Sequence, residues 1–528
     1  MLNKFPPLSI ACFLLATSLF AQNQPPVITN LNVSANWATN TLTLTYDIAD
    51  VENDPLDIAL AFSDNGGKTY NLTNLIPAPL GDVGFPVGPG TGRSITCDIS
   101  ELALIQNVFT VRLVADDKQT FDLQQLVNEV DSARLRADLE FVQGIRHRTT
   151  GLAHLNEVRD SLRNHFSQLG LFMEEHTFAY SGTTGRNILG TFPGTGSAEK
   201  VVIVDAHYDT VNNAPGADDN GSGTVGVMEI ARLLSRYPAK KTLRFIGFDM
   251  EEDGLIGSTR YVTNGIPAGE QIEGVFNFEM IGYYSEEPNS QEIPVGFDFL
   301  FPAATSQIVA NQYRGDFITN VANANSSSLG LLFSNSAQQY VPDLKVITLN
   351  VFGNGSVAPD LLRSDHAPFW LNNKPALMLT DGADFRNECY HTPADTLDEK
   401  LNFTFVSRVV QATLAAAAQL AEIQHGDWAT TTFQNSVNTW GTPDCTFSVW
   451  HSSSPSDVLN FSVANCIFTE AYIEVLDEKG SLLHNQSVVL SENEQANSMV
   501  LPLLSSGIYF AKITWPGGMR TQKFIVNR

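Results

Sequence analysis

The sequence predicts an α/β fold with a mostly parallel central sheet flanked by helices, and a β-sandwich module on either side of it along the chain. Apolar runs such as residues 201–204 and 243–248 alternate with amphipathic helical stretches, which predicts the α/β core. Short β-rich runs separated by turn clusters before and after this region predict the two sandwiches. We therefore divide the 528 residues into four segments, which are 1–21, 22–118, 119–426 and 427–528.

The first segment, 1–21, has the layout of a cleavable signal peptide. Lys4 precedes an apolar run at about residues 8–20, and Ala21 follows it. The run is shorter than the roughly 20 apolar residues that a membrane-spanning helix needs. An uncleaved anchor is the alternative. The most apolar later stretch, 409–423, contains Gln411 and Gln419, so we expect no integral membrane segment. With the signal peptide, this predicts a protein that is secreted or held at the cell surface.

The second segment, 22–118, contains β-rich runs at 41–46, 57–62 and 108–114, and turn clusters lie between them. This spacing is typical of an immunoglobulin or fibronectin type sandwich. Its acidic run of Asp50, Glu52 and Asp54 could hold a calcium ion, with a solvated turn as the alternative.

The third segment, 119–426, begins with apolar residues at helical spacing, and its strands and helices then alternate. The predicted helices cover residues 126–142, 152–169, 223–236, 257–262 and 405–423. The predicted strands are residues 201–204, 243–248, 275–278 and 376–379. An alternation of this kind predicts a parallel sheet with helices on its faces.

Charge and cysteine content restrict the partners and the disulfides. A formal net charge of −26 argues against nucleic acid, because a nucleic-acid partner needs a basic protein surface. Cys445 and Cys466 lie in one C-terminal segment and could pair, with unpaired thiols as the alternative. Cys97 and Cys389 fall in different predicted segments, so we expect no bond between them.

Polar residues follow three of the predicted core strands directly. Residues 205–209 and 249–253 follow two of them, Glu279 follows a third, and the glycine-rich turn 215–223 opens a helix. Because ligands collect at the carboxyl ends of parallel strands, we expect these groups to lie close together. Histidine nitrogen and carboxylate oxygen suit zinc, and Asp209 could accept the second ring N–H of His207. For any one of these residues alone, a satisfied polar group or a helix cap is the alternative.

The adjacent pair Glu251 and Glu252 needs a separate reason. Neighbouring side chains at the end of a strand point to opposite sides, so like charges in this arrangement can serve different tasks. One carboxylate can bind a metal while the other takes a proton from water and returns it to a leaving amine. An acidic surface loop is the alternative.

Seven short motifs together resemble one enzyme family. They lie at residues 187–195, 204–209, 216–223, 250–258, 277–282, 364–366 and 390–395. From about residue 126 to 423 the chain resembles the co-catalytic di-zinc exopeptidases, which include secreted bacterial leucyl aminopeptidases, glutamate carboxypeptidases and, more distantly, glutaminyl cyclases. The turn at 218–223 follows the peptidase form of its motif rather than the cyclase form.

The resemblance implies a site with two zinc ions, or other divalent metals in their place. It implies that His207 and Glu279 complete one metal site, that Glu252 and His391 complete the other, and that Asp218 bridges them. Glu251 is then the general base, with Asp209 beside His207. The family's bridging residue precedes a cis peptide, which here is the bond from Asp218 to Asp219. Further candidates that line the substrate cleft are Asp365, His366 and Tyr390.

The chain departs from the family at Glu279, where many members carry Asp. The additional methylene moves the carboxylate by about 1.5 Å, which implies altered metal affinity or metal choice at that position. The resemblance implies an aminopeptidase that acts on peptides or proteins. The alternatives are a carboxypeptidase or glutaminyl cyclase on the same scaffold, or a peptide-binding homologue without catalysis.

The last segment, 427–528, resembles the sorting domain of type IX secretion substrates through residues 506–512 and 523–528. The usual opening motif is poorly matched at residues 454–460. A carbohydrate-binding or structural sandwich is the alternative. The resemblance implies secretion machinery as a partner and export from a Gram-negative bacterium.

Overall fold

A computed structural model describes residues 23–103, 105, 108–397 and 401–435. In the C-terminal module it describes residues 446–452, 458–464, 470–477, 481–489, 495–502, 504–515 and 518–526. The predicted signal peptide, Cys445 and Cys466 lie outside these residues, so the predictions made for them stay predictions. Within the described residues we find no helix whose length and apolarity would let it cross a membrane.

The N-terminal module packs two sheets around an apolar core. Its strands are β1 (Val27–Asn36), β2 (Thr41–Ala49), β3 (Leu56–Ser63), β4 (Leu80–Gly81), β5 (Gly84–Val87), β6 (Gly90–Asp98) and β7 (Val108–Asp116). One sheet has the order β1-β2-β6-β4, and the other contains β7-β3-β5. Alternate residues of β2, including Leu42, Leu44 and Tyr46, are buried, because side chains alternate between the two faces of a strand.

The central region is an eight-stranded sheet. Its strands are β8 (Phe172–Tyr180), β9 (Thr183–Phe192), β10 (Ser197–His207), β11 (Lys241–Phe248), β12 (Gln271–Phe278), β13 (Ile318–Asn323), β14 (Val346–Val351) and β15 (Ala376–Thr380). Their order is β14-β13-β15-β12-β10-β11-β9-β8. The four central strands β15, β12, β10 and β11 are parallel, and antiparallel pairing begins on both sides of them.

Helices cover both faces of this sheet. They are α1 (Leu123–Asn128), α2 (Ser132–Val142), α3 (Leu152–Gln168), α4 (Gly223–Leu234), α5 (Ile256–Arg260), α6 (Phe297–Leu300), α7 (Pro302–Ala310), α8 (Ser327–Tyr340), α9 (His366–Leu371) and α10 (Phe403–Ala421). Side-chain caps fix three of the starts, since Asp122, Asp131 and Asn402 accept hydrogen bonds from backbone amides in the first turns of α1, α2 and α10.

The continuous apolar run in β10 follows from burial on both sides. Val202 and Val204 join the core cluster formed with α2, α4 and α10, whereas Val201 and Ile203 join the opposite cluster with Phe369 of α9. The α/β core with additional β-rich regions therefore agrees with the prediction.

The segment after α10 returns to the N-terminal module. Strand β16 (Gly426–Gln434) pairs antiparallel with β7 along its whole length, which completes the sheet order β16-β7-β3-β5. Phe433 stacks on Phe109, with 5.1 Å between the ring centroids. The predicted boundary at residue 427 is therefore wrong, because β16 buries its apolar face in the first sandwich. The α/β core is an insertion between two neighbouring strands of that sandwich.

The C-terminal module is a separate pair of antiparallel sheets. Its strands are β17 (Thr446–Ser452), β18 (Val458–Ala464), β19 (Glu470–Leu476), β20 (Leu482–Val489), β21 (Gln495–Val500), β22 (Gly507–Trp515) and β23 (Gly518–Val526). The sheet orders are β17-β18-β21 and β20-β19-β22-β23. Leu459, Ile473 and Ile513 belong to the small apolar core of this module.

Candidate metal centre

Ligand-type side chains gather at the carboxyl end of the central sheet. His207 is the last residue of β10, and Glu279 comes directly after β12. The pair Glu251 and Glu252 follows the end of β11. Because β10, β11 and β12 run parallel in register, their ends lie at one edge of the sheet.

The first group of possible ligands surrounds His207. Its Nε2 atom is 3.3 Å from Glu279 Oε2 and 3.9 Å from Glu251 Oε2. The same nitrogen is 3.3 Å from Asp219 Oδ1, in the turn that precedes α4. The atoms that His207, Glu251 and Glu279 offer all lie within 4.8 Å of one another.

The second group surrounds His391, in the loop that follows β15. Its Nε2 atom is 3.0 Å from Asp219 Oδ2 and 3.1 Å from Glu252 Oε2. The two oxygens of Asp219 therefore face different histidines, His207 with Oδ1 and His391 with Oδ2. A carboxylate in this position can bridge two cations.

The prediction that Asp218 bridges the two positions is wrong for this structure. Asp218 turns away from both histidines, and its carboxylate accepts hydrogen bonds from the Gly282 amide at 2.9 Å and from Asn387 Nδ2 at 2.8 Å. The non-proline cis peptide joins Asp219 to Asn220, one bond later than predicted. Neighbouring side chains leave the backbone in different directions, so only one of the two adjacent aspartates can reach the histidines.

The donor atoms fit divalent cations. Buried atoms of both groups have no hydrogen-bond partner, namely His207 Nε2, His391 Nε2, Asp219 Oδ1 and Glu252 Oε1. A buried polar atom without a partner is costly, and ligand atoms that converge on one point are satisfied by a cation. Imidazole and carboxylate together form a donor set that zinc accepts.

The ionisation of the groups reflects their burial and their mutual charges. Burial raises the pKa of Glu251 well above 4.5 and, together with the charge of Asp219, raises the pKa of Glu252 to about 7. Burial opposes the charge on His207, but the carboxylates of Glu251 and Glu279 outweigh it and raise its pKa. The carboxylates outnumber the imidazoles, so the site favours a cationic occupant.

Asp209 contacts two of the elements that supply ligands. His207 Nδ1 lies 3.2 Å from the backbone oxygen of Asp209 and 3.5 Å from its Oδ1. The carboxylate of Asp209 also accepts the backbone amides of Glu251 at 3.1 Å and Glu252 at 3.2 Å. Asp209 therefore positions the glutamate pair as well as the imidazole.

Two of the three predicted cleft residues do not line the cleft. Asp365 and His366 are both 0% exposed, so neither can contact a substrate directly. His366 bonds the backbone oxygen of Leu361 at 2.9 Å and packs edge-on against Trp370, and burial lowers its pKa to about 4. The neighbouring Ser364 hydroxyl lies 2.7 Å from Glu279 Oε2 and orients it. Tyr390 does line the cavity beside the site.

The acidic run in the N-terminal module forms a turn. Asp50 Oδ1 accepts the backbone amide of Asp54 at 2.8 Å. Within the part of the chain that the structure describes, the groups of three or more potential ligands are the two around His207 and His391. A calcium ion at Asp50 is therefore not shown.

Residues 187–417 match peptidase family M28, and residues 455–527 match the secretion system C-terminal sorting domain. Over 278 residues the chain is 30% identical to the uncharacterised protein YfbL of Escherichia coli, which covers 49% of this chain and 79% of YfbL. The chain belongs to peptidase family M28. Its sorting domain indicates secretion by the type IX system and an association with that machinery.

Other similar proteins are matched over shorter shares of their length. The chain is 31% identical over 283 residues to leupeptin-inactivating enzyme 1 of Streptomyces exfoliatus, which is 50% of this chain and 54% of that enzyme. It is 42% identical over 106 residues to aminopeptidase YwaD of Bacillus subtilis, which is 20% of this chain and 23% of that protein. The chain thus spans about half of one relative and about a quarter of the other.

Two solved structures show lower similarity. A zinc aminopeptidase from Bacillus subtilis is 25% identical with a TM-score of 0.35, over 47% of this chain and 52% of that one. The glutaminyl cyclase of Porphyromonas gingivalis is 18% identical with a TM-score of 0.39, over 56% of this chain and 98% of that one.

A cavity beside the ligand groups of this M28 peptidase was not predicted from the sequence. It is partly open to solvent, and Glu279 and Tyr390 form part of its wall. Most of its lining is apolar, including Phe297, Phe301, Phe317, Ile347, Leu349 and Met378. These residues come from α6, the start of α7 and several strands, so their proximity depends on the tertiary fold and has no local sequence signal.

Proposed function

We propose that this M28 peptidase is a zinc aminopeptidase that removes apolar residues from the N-termini of extracellular peptides. The observation that carries the proposal is the position of the apolar cavity, whose wall includes Glu279 of the first ligand group and Tyr390, which stacks on His391 of the second. A substrate side chain in this cavity would place its peptide bond beside both groups.

His207, Asp219 and Glu279 would hold one zinc ion, and Asp219, Glu252 and His391 the other. When bound, zinc ions supply Lewis acidity for the scissile carbonyl and lower the pKa of water. Because the two ligand groups share the Asp219 carboxylate, they lie close enough together to act on one peptide bond.

Glu251 is suited to move the proton. Burial raises the pKa of its carboxyl group, which makes it a better proton acceptor than an exposed glutamate. It would take one proton from the attacking water and give that proton to the amine that leaves when the C–N bond breaks. Asp209 holds its backbone amide and thereby its position.

The charges around the cavity favour a substrate amine over a substrate carboxylate. Besides Glu279, which would hold zinc, three acidic residues line it, Glu292, Asp360 and Asp384, together with one arginine, Arg363. Arg363 is already paired with Asp384 at 3.2 Å and donates to the Tyr390 hydroxyl at 3.1 Å. An α-ammonium group is attracted to this surface, whereas the α-carboxylate that a carboxypeptidase must bind is repelled. This supports an aminopeptidase.

The test is a substrate panel on wild type and two variants of α7. Ala304 lines the cavity and is 4% exposed, while Ala303 on the same helix is exposed and lies outside the lining. We expect Ala304→Phe to lower kcat/KM for leucyl and phenylalanyl nitroanilides at least tenfold more than for alanyl nitroanilide, because the added ring fills the cavity. Ala303→Phe, the matched control, should change none of them.

The panel also includes the competing activities. Cleavage of N-blocked peptides with no action on aminoacyl nitroanilides would favour a carboxypeptidase. Ammonia release from N-terminal glutamine peptides would favour a cyclase, and zinc binding without any turnover would favour a binding protein.

We further propose that export begins with cleavage of the signal peptide in a Gram-negative bacterium. The sorting-domain match supports this part of the proposal. N-terminal sequencing of the secreted protein tests it, and a start near residue 22 is the expected result.

A further inference from the structure

The turn that carries Asp219 is fixed by residues outside both ligand groups. Three successive backbone amides of this turn donate to a single residue, Asp395. The Asp218 amide bonds its Oδ1 at 2.9 Å, the Asp219 amide bonds its Oδ2 at 3.1 Å, and the Ala217 amide bonds its backbone oxygen at 3.2 Å. Asp395 is 2% exposed, so these bonds are protected from water.

The carbonyl side of the same turn is fixed by Arg146, which is 0% exposed. Its guanidinium donates to the backbone oxygens of Pro215 at 2.8 Å and Gly216 at 2.9 Å. Gly216 has a φ of +60°, and a Cβ there would lie 2.2 Å from the backbone oxygen of Asp219 and 2.9 Å from Arg146 Nη2. The turn therefore needs glycine at this position, because the φ is positive and a Cβ would collide with the turn's own backbone.

Each of the two residues also reaches a second ligand-bearing segment. Arg146 Nε donates at 2.7 Å to the backbone oxygen of Tyr208, the residue directly after His207. Asp395 lies four residues after His391 in the same loop. Arg146 thus joins the His207 segment to the Asp219 turn, and Asp395 joins that turn to the His391 loop.

We propose that Arg146 and Asp395 are positioning residues that preform the metal centre by holding Asp219 between His207 and His391. Both act through the backbone and neither touches a substrate or supplies a ligand atom. Arg146 donates hydrogen bonds to carbonyl oxygens of the turn, and Asp395 accepts hydrogen bonds from its amides. The backbone groups on both sides of the turn are therefore hydrogen-bonded before a cation binds. The inference rests on the proposed metal site but not on the aminopeptidase activity.

The first test measures metal affinity rather than activity. Arg146→Lys replaces a planar fork with a single ammonium that cannot reach the same carbonyls, and Asp395→Asn puts an amide group against one of the two backbone donors. We expect each variant to bind one zinc equivalent about 10–100-fold more weakly in a competition titration against a chromophoric chelator, as is typical when partners of metal ligands are lost.

Matched controls are available in the N-terminal module. Arg112 is a buried arginine that donates to the carbonyls of Pro193 and Gly194, and Asp427 accepts the backbone amide of Ile28. Arg112→Lys and Asp427→Asn should lower thermal stability and leave both zinc affinities unchanged. Folded Arg146→Lys or Asp395→Asn with wild-type zinc affinities would overturn the inference.

A second measurement uses the wild-type protein and does not depend on a variant that folds. Amide hydrogen exchange of residues 215–222 is followed by mass spectrometry before and after removal of metal by a chelator. We expect the amides of Asp218 and Asp219 to stay protected, because their acceptor is Asp395. Rapid exchange confined to this turn after chelation would show that the metal holds the turn and would overturn the inference. A wild-type protein that binds no divalent ion refutes the proposed function itself.

Discussion

Removal of metal should reveal an unfavourable charge at Glu252. Its side chain is 8% exposed, and burial together with Asp219 raises its pKa from 4.5 to about 7. A carboxyl group whose pKa is raised on folding binds its proton more tightly in the folded state. Its contribution to stability is therefore complete below pH 4.5 and is lost as the pH rises through about 7. The difference between these pKa values corresponds to about 3 kcal/mol.

Glu252→Gln removes this charge, because the glutamine side chain resembles the protonated glutamate and does not titrate. In chelator, the variant and wild type should have the same Tm at pH 4.5. At pH 8 the variant should be more stable by about 3 kcal/mol, which corresponds to roughly 5–10 °C in Tm for a domain of this size. In excess zinc, wild type should have the higher Tm at pH 8, because it retains the Glu252 carboxylate as a zinc ligand and the variant does not.

Thermal unfolding is followed by circular dichroism at both pH values, with and without chelator. Glu199→Gln serves as the control, since this residue is exposed in β10 and lies outside both ligand groups. Chelated Glu252→Gln that is no more stable than chelated wild type at pH 8, or that shows the same gain at pH 4.5, would contradict an unfavourable charge at Glu252.

Three further predictions concern catalysis and domain structure. Glu251→Gln should retain bound zinc, measured by elemental analysis, while hydrolysis of leucyl nitroanilide falls by about 10²–10⁴-fold; near-normal turnover would remove Glu251 from the mechanism. Arg112→Ala should destabilise the protein by about 2–4 kcal/mol in denaturant unfolding, because it leaves the Pro193 and Gly194 carbonyls buried without donors; an unchanged unfolding midpoint would contradict this. A chain that ends after Asn435 should keep wild-type peptidase activity. A chain that ends after His425 should unfold at a lower temperature, because it lacks β16 and leaves the edge of β7 unpaired. Equal Tm values for the two shortened chains would refute the insertion of the core into the sandwich.

Much of the α/β core could be predicted from local pattern. The apolar runs of β10, β11 and β12 are buried on both sides, so they appear in the sequence as continuous apolar stretches. Polar residues directly after such runs must lie at one edge of a parallel sheet. For this reason His207 and Glu279 were found without knowledge of distant contacts.

Other features depend on contacts between segments far apart in the chain. Strand β16 alternates like any strand, and its membership in the first sandwich is decided by pairing with β7 about 300 residues earlier. The roles of Arg146 and Asp395 are equally hidden, because both act on backbone groups that any residue type would present. The apolar cavity collects side chains from separate elements, and hydrophobic residues at those positions also suit an ordinary core.

Local pattern in the sequence was enough to identify four of the eight core strands, β10, β11, β12 and β15, and the strand ends that carry ligand-type side chains, since burial on both faces is encoded locally. The tertiary structure decided which of two adjacent aspartates reaches the histidines. Asp218 and Asp219 have the same chemistry, and they differ only in which way the turn points them once Asp395 and Arg146 have fixed its backbone. A choice between neighbouring residues of one type is made by backbone direction, and backbone direction in a turn is set by partners distant in the chain.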